Sequence, residues 1–358
     1  MCQTLGYHRI STMARDTELE RDEKTALFWY VYITDKTISL RLGRAATIQD
    51  YDISLPVPEQ SVIFPDSYIP FLSYWIEVAR IQGQVAEQLY SPAAALLRQH
   101  ERWRRADVLS SALAHAFESR LQLGNAPEVE TSSSADRDLY RWVISSSDAM
   151  VHYSTLTLIN FSAPPNDTGI SPALEPARSA LQTVQELGEK KQLLSEPAWS
   201  SYLHWVTMNT PFTPFTVIFS HIIANYRESE QDLRLLQGFV NSLEHVATLS
   251  EGVGRFHQLC STFYQVAEAY TSAKNREDSV QEANEAALSQ QQGALLPTLE
   301  EIDECLAILD YAQPPLFETG YNGTSTADIR REEQSSSCLY DWYAGNASLV
   351  GLMEFGFD

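Results

Sequence analysis

Apolar residues recur at helical spacing along most of this chain, and that period constrains its fold more than any other feature. Val, Ile and Thr form no repeated alternating runs, and no Asn-Gly turn joins two strand-like segments, so a sheet has little to build on. Turn residues cut the pattern into pieces. The spacing predicts helices over about 22–42, 66–90, 91–123, 136–160, 172–191, 196–209, 212–227, 229–249 and 253–274. Gly43 marks the first stop, Asp66 can cap the second helix, and Ser91-Pro92 and Ser171-Pro172 each pair an N-cap with a first-turn proline. Segments 124–135 and 162–171 have the polar or proline-rich composition of connections. Helices of these lengths with short connections predict an all-α fold, a multi-helix array of antiparallel helices.

Leu27 to Pro56 is the densest segment. It begins as a helix with Leu27, Phe28, Val31, Ile38 and Leu42 on one face, stops at Gly43, and continues as an acidic, turn-rich loop closed by proline. A glycine-ended helix leaves terminal carbonyls that the neighbouring Arg44 guanidinium can satisfy, or Arg44 can pair with Asp50 or Asp52. Asp35, mid-helix, is expected to be partly buried and paired with Arg41 or Arg44. The expectation is a structural clasp tying the helix end to the acidic loop. Two carboxylates at a turn can also do acid–base work or hold a divalent cation, but Asx residues in turns more often cap the next amides, and that reading is favoured. Arg98, Arg102, Arg104 and Arg105 surround Trp103 on a later helix; a solvated face with one packed aromatic is favoured over an anion site.

The 358 residues suffice for one or two domains, and 44% hydrophobic with 20% charged residues is ordinary for a globular protein. The net charge of −22 argues against a direct grip on nucleic acid, which needs clustered Lys and Arg. Cys2, Cys260, Cys305 and Cys338 are far apart in sequence and form no CxxC pair. The eight histidines are scattered, Gly252 and Gly254 are followed by Arg255 rather than the Lys-Ser/Thr of a phosphate loop, and no Gly-x-Ser-x-Gly elbow occurs. Catalytic and metal-ligating residues are therefore assigned to none, and the chain is expected not to be an enzyme. Met1 to Asp16 is too polar for a signal peptide, and the apolar run at Val217–Ala224 is too short for a bilayer, so no membrane partner is expected.

Composition changes after Lys274. Residues 275–358 hold 16 Asp and Glu against three Arg and no Lys. The expectation is a helical regulatory domain over 1–274 and an acidic, poorly ordered tail over 275–358, with one amphipathic helix at 297–310. Acidic residues interleave there with Leu339, Trp342, Tyr343, Leu352, Met353 and Phe355, the composition of an activation segment or of a tail that docks back on its own domain.

The quoted segments resemble the regulatory (middle homology) domain of fungal zinc binuclear cluster transcription factors. Gly6 and His8 lie in Leu5-Gly6-Tyr7-His8-Arg9, which is similar to a Leu-Gly-Leu-His-Arg element of that family. Phe28, Trp29, Asp35, Ser39, Leu42, Gly43, Arg44, Asp50, Asp52 and Pro56 then follow in the family's order; Lys36 stands where Arg is favoured and Ala45 where Pro is. His152–Ile159, Thr210–Phe215, Leu339–Tyr343 and Gly351–Glu354 extend the resemblance thinly to the C-terminal end. It implies a regulator of RNA polymerase II transcription, nuclear or shuttling with the cytoplasm. Implied partners are the transcription machinery or co-regulator proteins, a small-molecule effector and a homodimer partner.

A binuclear zinc cluster needs six closely spaced thiolates, so the resemblance implies DNA contact and zinc only through a missing DNA-binding head, with no cofactor in this chain. The family usually has several helices before the element that here begins at residue 5. The resemblance therefore implies a domain without its N-terminal part, whose first helix pair leaves an apolar face uncovered and open to self-association. The alternatives are a DNA-binding-deficient co-regulator that binds another factor, and a small-molecule-binding helical protein or enzyme from a biosynthetic pathway.

Overall fold

The computed structural model describes residues 1–123, 134–163, 171–190 and 193–287. Among them it places ten α-helices and no strand. They are α1 (Glu18–Arg41), α2 (Ile69–Leu89), α3 (Pro92–Ala95), α4 (Gln99–Gln122) and α5 (Ser134–Phe161). Then come α6 (Leu174–Glu189), α7 (Glu196–Tyr202), α8 (Thr213–Ala224), α9 (Glu230–Ala247) and α10 (Glu251–Ala287). The expected all-α fold is the observed one. The expected helix at 297–310 and the segment from Leu339 to Phe355 lie outside the described residues, as do most of 124–135 and of 162–171.

Local chemistry moves several boundaries. α1 starts at Glu18 rather than 22 because Thr17 and Glu20 form a reciprocal capping box, the Thr17 N–H donating to Glu20 Oε2 at 2.9 Å. Asp66 is exposed and caps nothing; α2 begins at Ile69 behind Tyr68, with Pro70 in its first turn. Ser91 does cap, accepting the Ala94 N–H at 3.0 Å, but the helix it opens is the four-residue α3, and α4 restarts only at Gln99. α7 passes at Leu203 into a π-helical turn that ends at Thr207, and α10 continues to Ala287, well past 274.

At the end of α1 the Gly43 N–H donates to Leu40 O at 3.3 Å and the Arg44 N–H to Ser39 O at 3.0 Å. With Gly43 at φ 61° this is a Schellman stop. An L side chain is strained in that conformation, so Gly43→Ala is expected to cost about 1 kcal/mol, read as a lower urea midpoint at unchanged slope.

Two apolar clusters result. The larger joins α2, α4, α5 and α6 to α7–α10. The smaller packs Phe28, Trp29 and Tyr32 of α1 against Leu72, Ile76 and Ala79 of α2, with Met13, Ile48 and Leu55 closing it. Here the expected face of α1 is corrected. Leu27 is 50% exposed and Val31, Ile38 and Leu42 are only half-buried, whereas Trp29, Tyr32, Lys36, Ser39, Leu40 and Arg41 are buried. Leu19 and Leu27 sit half-exposed on the outer side.

Candidate functional site: the acidic-loop clasp

The motif residues converge where the N-terminal segment, α1 and the loop at 46–57 meet. Each loop carboxylate has a partner distant in sequence. Asp50 Oδ1 accepts Lys36 Nζ at 2.8 Å and the Tyr32 hydroxyl at 2.9 Å. Asp52 accepts Arg9 Nη2 at 2.6 Å, and His8 Nε2 stands 3.2 Å from its other oxygen. Asp35 reaches across from α1 to accept the Thr47 and Ile48 N–H groups at 3.1 and 2.8 Å. The His8 carbonyl accepts the Ser54 and Leu55 N–H groups, and the Trp29 indole donates to the Pro56 carbonyl at 3.2 Å. Gly6, at φ 78°, turns the chain so that its carbonyl accepts the Thr12 hydroxyl. The acidic loop is thus held by carboxylate–cation pairs and by main-chain bonds at once.

The electrostatics follow from this wiring. The Arg9 guanidinium draws the Asp52 carboxyl below the ordinary range, with His8 adding to it and desolvation opposing. Burial, then the Asp50 charge, push the Tyr32 phenol far upward, so it stays a donor. Lys36 is buried; the Cδ of its stem lies 2.9 Å from where a Cβ would stand on Gly83 of α2, so the lysine depends on a glycine opposite it.

The clasp exists, but its basic groups differ from those expected. Arg44 is exposed, its guanidinium pairs with neither Asp50 nor Asp52, and its contribution is the main-chain N–H that ends α1. Asp35 takes backbone amides instead of Arg41 or Arg44. Arg41 is buried, donates to the Thr210 carbonyl and lies over the Phe256 ring at 5.7 Å. The capping role favoured for Asp50 and Asp52 is not the observed one, since both side chains face distant cations. Arg102, expected on a solvated face, is 1% exposed, while Arg104 and Arg105 pair with Glu101.

Phe28, Trp29 and Ser39 are buried, Leu42 and Asp52 half-buried, and Pro56 exposed. The structure also joins the distant motif segments. Thr37 donates to Gln82 Oε1 at 2.8 Å, Gln82 Nε2 donates to Thr155 at 3.2 Å, and the Tyr90 hydroxyl donates to Leu158 O. The roles of Arg9, Lys36 and Gln82 were not singled out from sequence. A buried polar residue on a helix spacing shared with Trp29, Tyr32 and Ser39 is the signal that marks Lys36.

Between α1, the loop and α2 lies a pocket of about 220 Å³, lined by residues that include Trp29, Tyr32, Asp50, Val57 and Arg80. Among the described residues no group of three or more His, Cys, Asp and Glu is placed to hold a metal ion, and no helix is long and apolar enough to cross a membrane.

Residues 1–122, the N-terminal third of the chain, match the fungal specific transcription factor domain. Two Schizosaccharomyces pombe proteins are similar to the chain. The uncharacterized transcriptional regulatory protein C530.05 is 36% identical over 101 residues, covering 25% of this chain and 13% of that protein. The uncharacterized transcriptional regulatory protein C11D3.07c is 26% identical over 307 residues, covering 77% of this chain and 45% of that protein. The chain therefore spans less than half the length of these relatives. No solved structure matches.

Proposed function

We propose that this chain is the regulatory part of a fungal transcription regulator that acts in the nucleus on RNA polymerase II transcription. The observation that carries the reading is the family match over residues 1–122, which contains every residue of the clasp. In this reading the clasp fixes the acidic loop against α1 and α2, and residues 1–274 form the regulatory domain. The acidic segment 275–358 contacts co-regulators or the transcription machinery through Leu339, Trp342, Tyr343, Leu352, Met353 and Phe355. A zinc-cluster module outside these 358 residues supplies the DNA contact. The net charge of −22 supports that division of labour, because phosphate binding needs the opposite sign.

The test is to fuse residues 1–358 to a heterologous DNA-binding domain in a fungal cell and measure a reporter. The fusion is expected to change reporter output relative to the DNA-binding domain alone. Alanine at the six apolar positions of the acidic segment is expected to remove most of the change. An expressed, soluble fusion with no effect on the reporter overturns the reading.

A further inference from the structure

We propose that the pocket between α1, the acidic loop and α2 binds a small monocarboxylate, with the Arg80 guanidinium as its anchor. Trp29, Ile53 and Val57 contribute to a wall whose exposed surface is mostly polar, and Asp50 and Arg80 are the charged groups of the lining. Their availability differs. Asp50 is already engaged by Lys36 and Tyr32, so its charge is balanced from behind. Arg80 is 38% exposed, gives Nη1 to Glu77 at 2.6 Å and also stands against the Tyr32 hydroxyl; of its five N–H donors, the others remain for a ligand. A planar fork matches a carboxylate in bidentate geometry. Asp50 and Glu77 beside it disfavour a dianion such as phosphate, so a single negative charge fits best.

At about 220 Å³ the site is smaller than the roughly 300–1,000 Å³ of drug-sized pockets, which points to a compact metabolite with an aliphatic or single-ring body. Such a ligand would touch Tyr32 and Asp50 and so brace the clasp. The inference deepens the regulatory reading by naming an effector class. Its test is binding to the purified chain, so it can fail without the transcriptional reading failing, and the reverse.

The probes are benzoate and 4-methylpentanoate, each against its own amide, followed by saturation-transfer NMR and by melting temperature. At least one carboxylate is expected to bind about tenfold or more tightly than its amide. Arg80→Gln is expected to weaken it by a similar factor, Glu77→Gln to tighten it, and the exposed control Arg104→Gln to leave it unchanged. Urea melts of the unliganded variants establish that each is folded. If neither acid binds, if the amides bind equally, or if folded Arg80→Gln binds as well as the parent, the proposal is overturned.

Discussion

Arg120→Met is expected to destabilise the protein by about 3–5 kcal/mol. Arg120 of α4 and Asp148 of α5 meet with Nε 2.5 Å from Oδ2, and their side chains are 3% and 5% exposed. The Trp75 indole of α2 donates to the other Asp148 oxygen at 2.9 Å, and the Arg120 guanidinium lies 4.4 Å from the Phe71 ring centroid. Burial pushes the Asp148 carboxyl upward, and Arg120 with Trp75 pulls it back. Without the guanidinium, a carboxylate remains buried with one indole for company. It must protonate or open the contact of α2, α4 and α5. The variant's deficit relative to the parent should therefore shrink as pH falls towards 5, because its raised folded pKa favours the protonated state. The double variant Arg120→Met, Asp148→Leu should recover more, since no charge is left in the core. Urea unfolding of the parent and the two variants at pH 7 and pH 5 measures both statements.

The second large effect is a dependence on pH. His152 of α5 is buried, stacks on Phe117 with ring centroids 4.1 Å apart, and has no hydrogen-bond partner at Nδ1. Burial pushes its imidazole down from 6.5 to about 4. Between those values the unfolded chain takes a proton that the folded chain refuses, so stability is lost as pH falls from 6.5 towards 4. At about 1.4 kcal/mol per pH unit, His152 alone is expected to remove about 2 kcal/mol between pH 6.5 and 5 and about 3 kcal/mol by pH 4. His152→Phe keeps a ring against Phe117 and should flatten this part of the profile. An equal slope in parent and variant over pH 6.5–5 would show that His152 is not the source.

Much of the architecture was legible because helical period and end signals are local. Gly43 stopped α1, Ser91 opened a helix, and the helical segments after 171 fell within a few residues of their expected places, though α10 runs on to Ala287. What was not legible came from polar residues on buried faces. On α1, Lys36 and Ser39 share the inward side with Trp29 and Tyr32, while Leu19 and Leu27 face out, so the face read through Leu27, Phe28, Val31, Ile38 and Leu42 was right at Phe28 and rotated away from the polar residues. Similarly, Arg102 and Arg120 bracket the buried stripe of Ala106, Leu109, Leu113 and Ala116 on α4, and Arg102 reads as surface until the stripe is traced through it. In the clasp, sequence showed which residues matter together but not which pair with which. Arg44 is nearest Asp50 in sequence, yet the Schellman stop turns its side chain to solvent and Lys36, fourteen positions before Asp50, takes the carboxylate.

The central claim is that the residues from Gly6 to Pro56 form a clasp closed by Lys36 on Asp50, with Arg44 outside it. Thermal unfolding of Lys36→Met beside Arg44→Met tests this most directly, because methionine keeps an apolar stem and removes only the charge. The account predicts a fall in Tm of roughly 3 °C or more for Lys36→Met and a change of about 1 °C or less for Arg44→Met. Equal effects, or a larger fall for Arg44→Met, would contradict it.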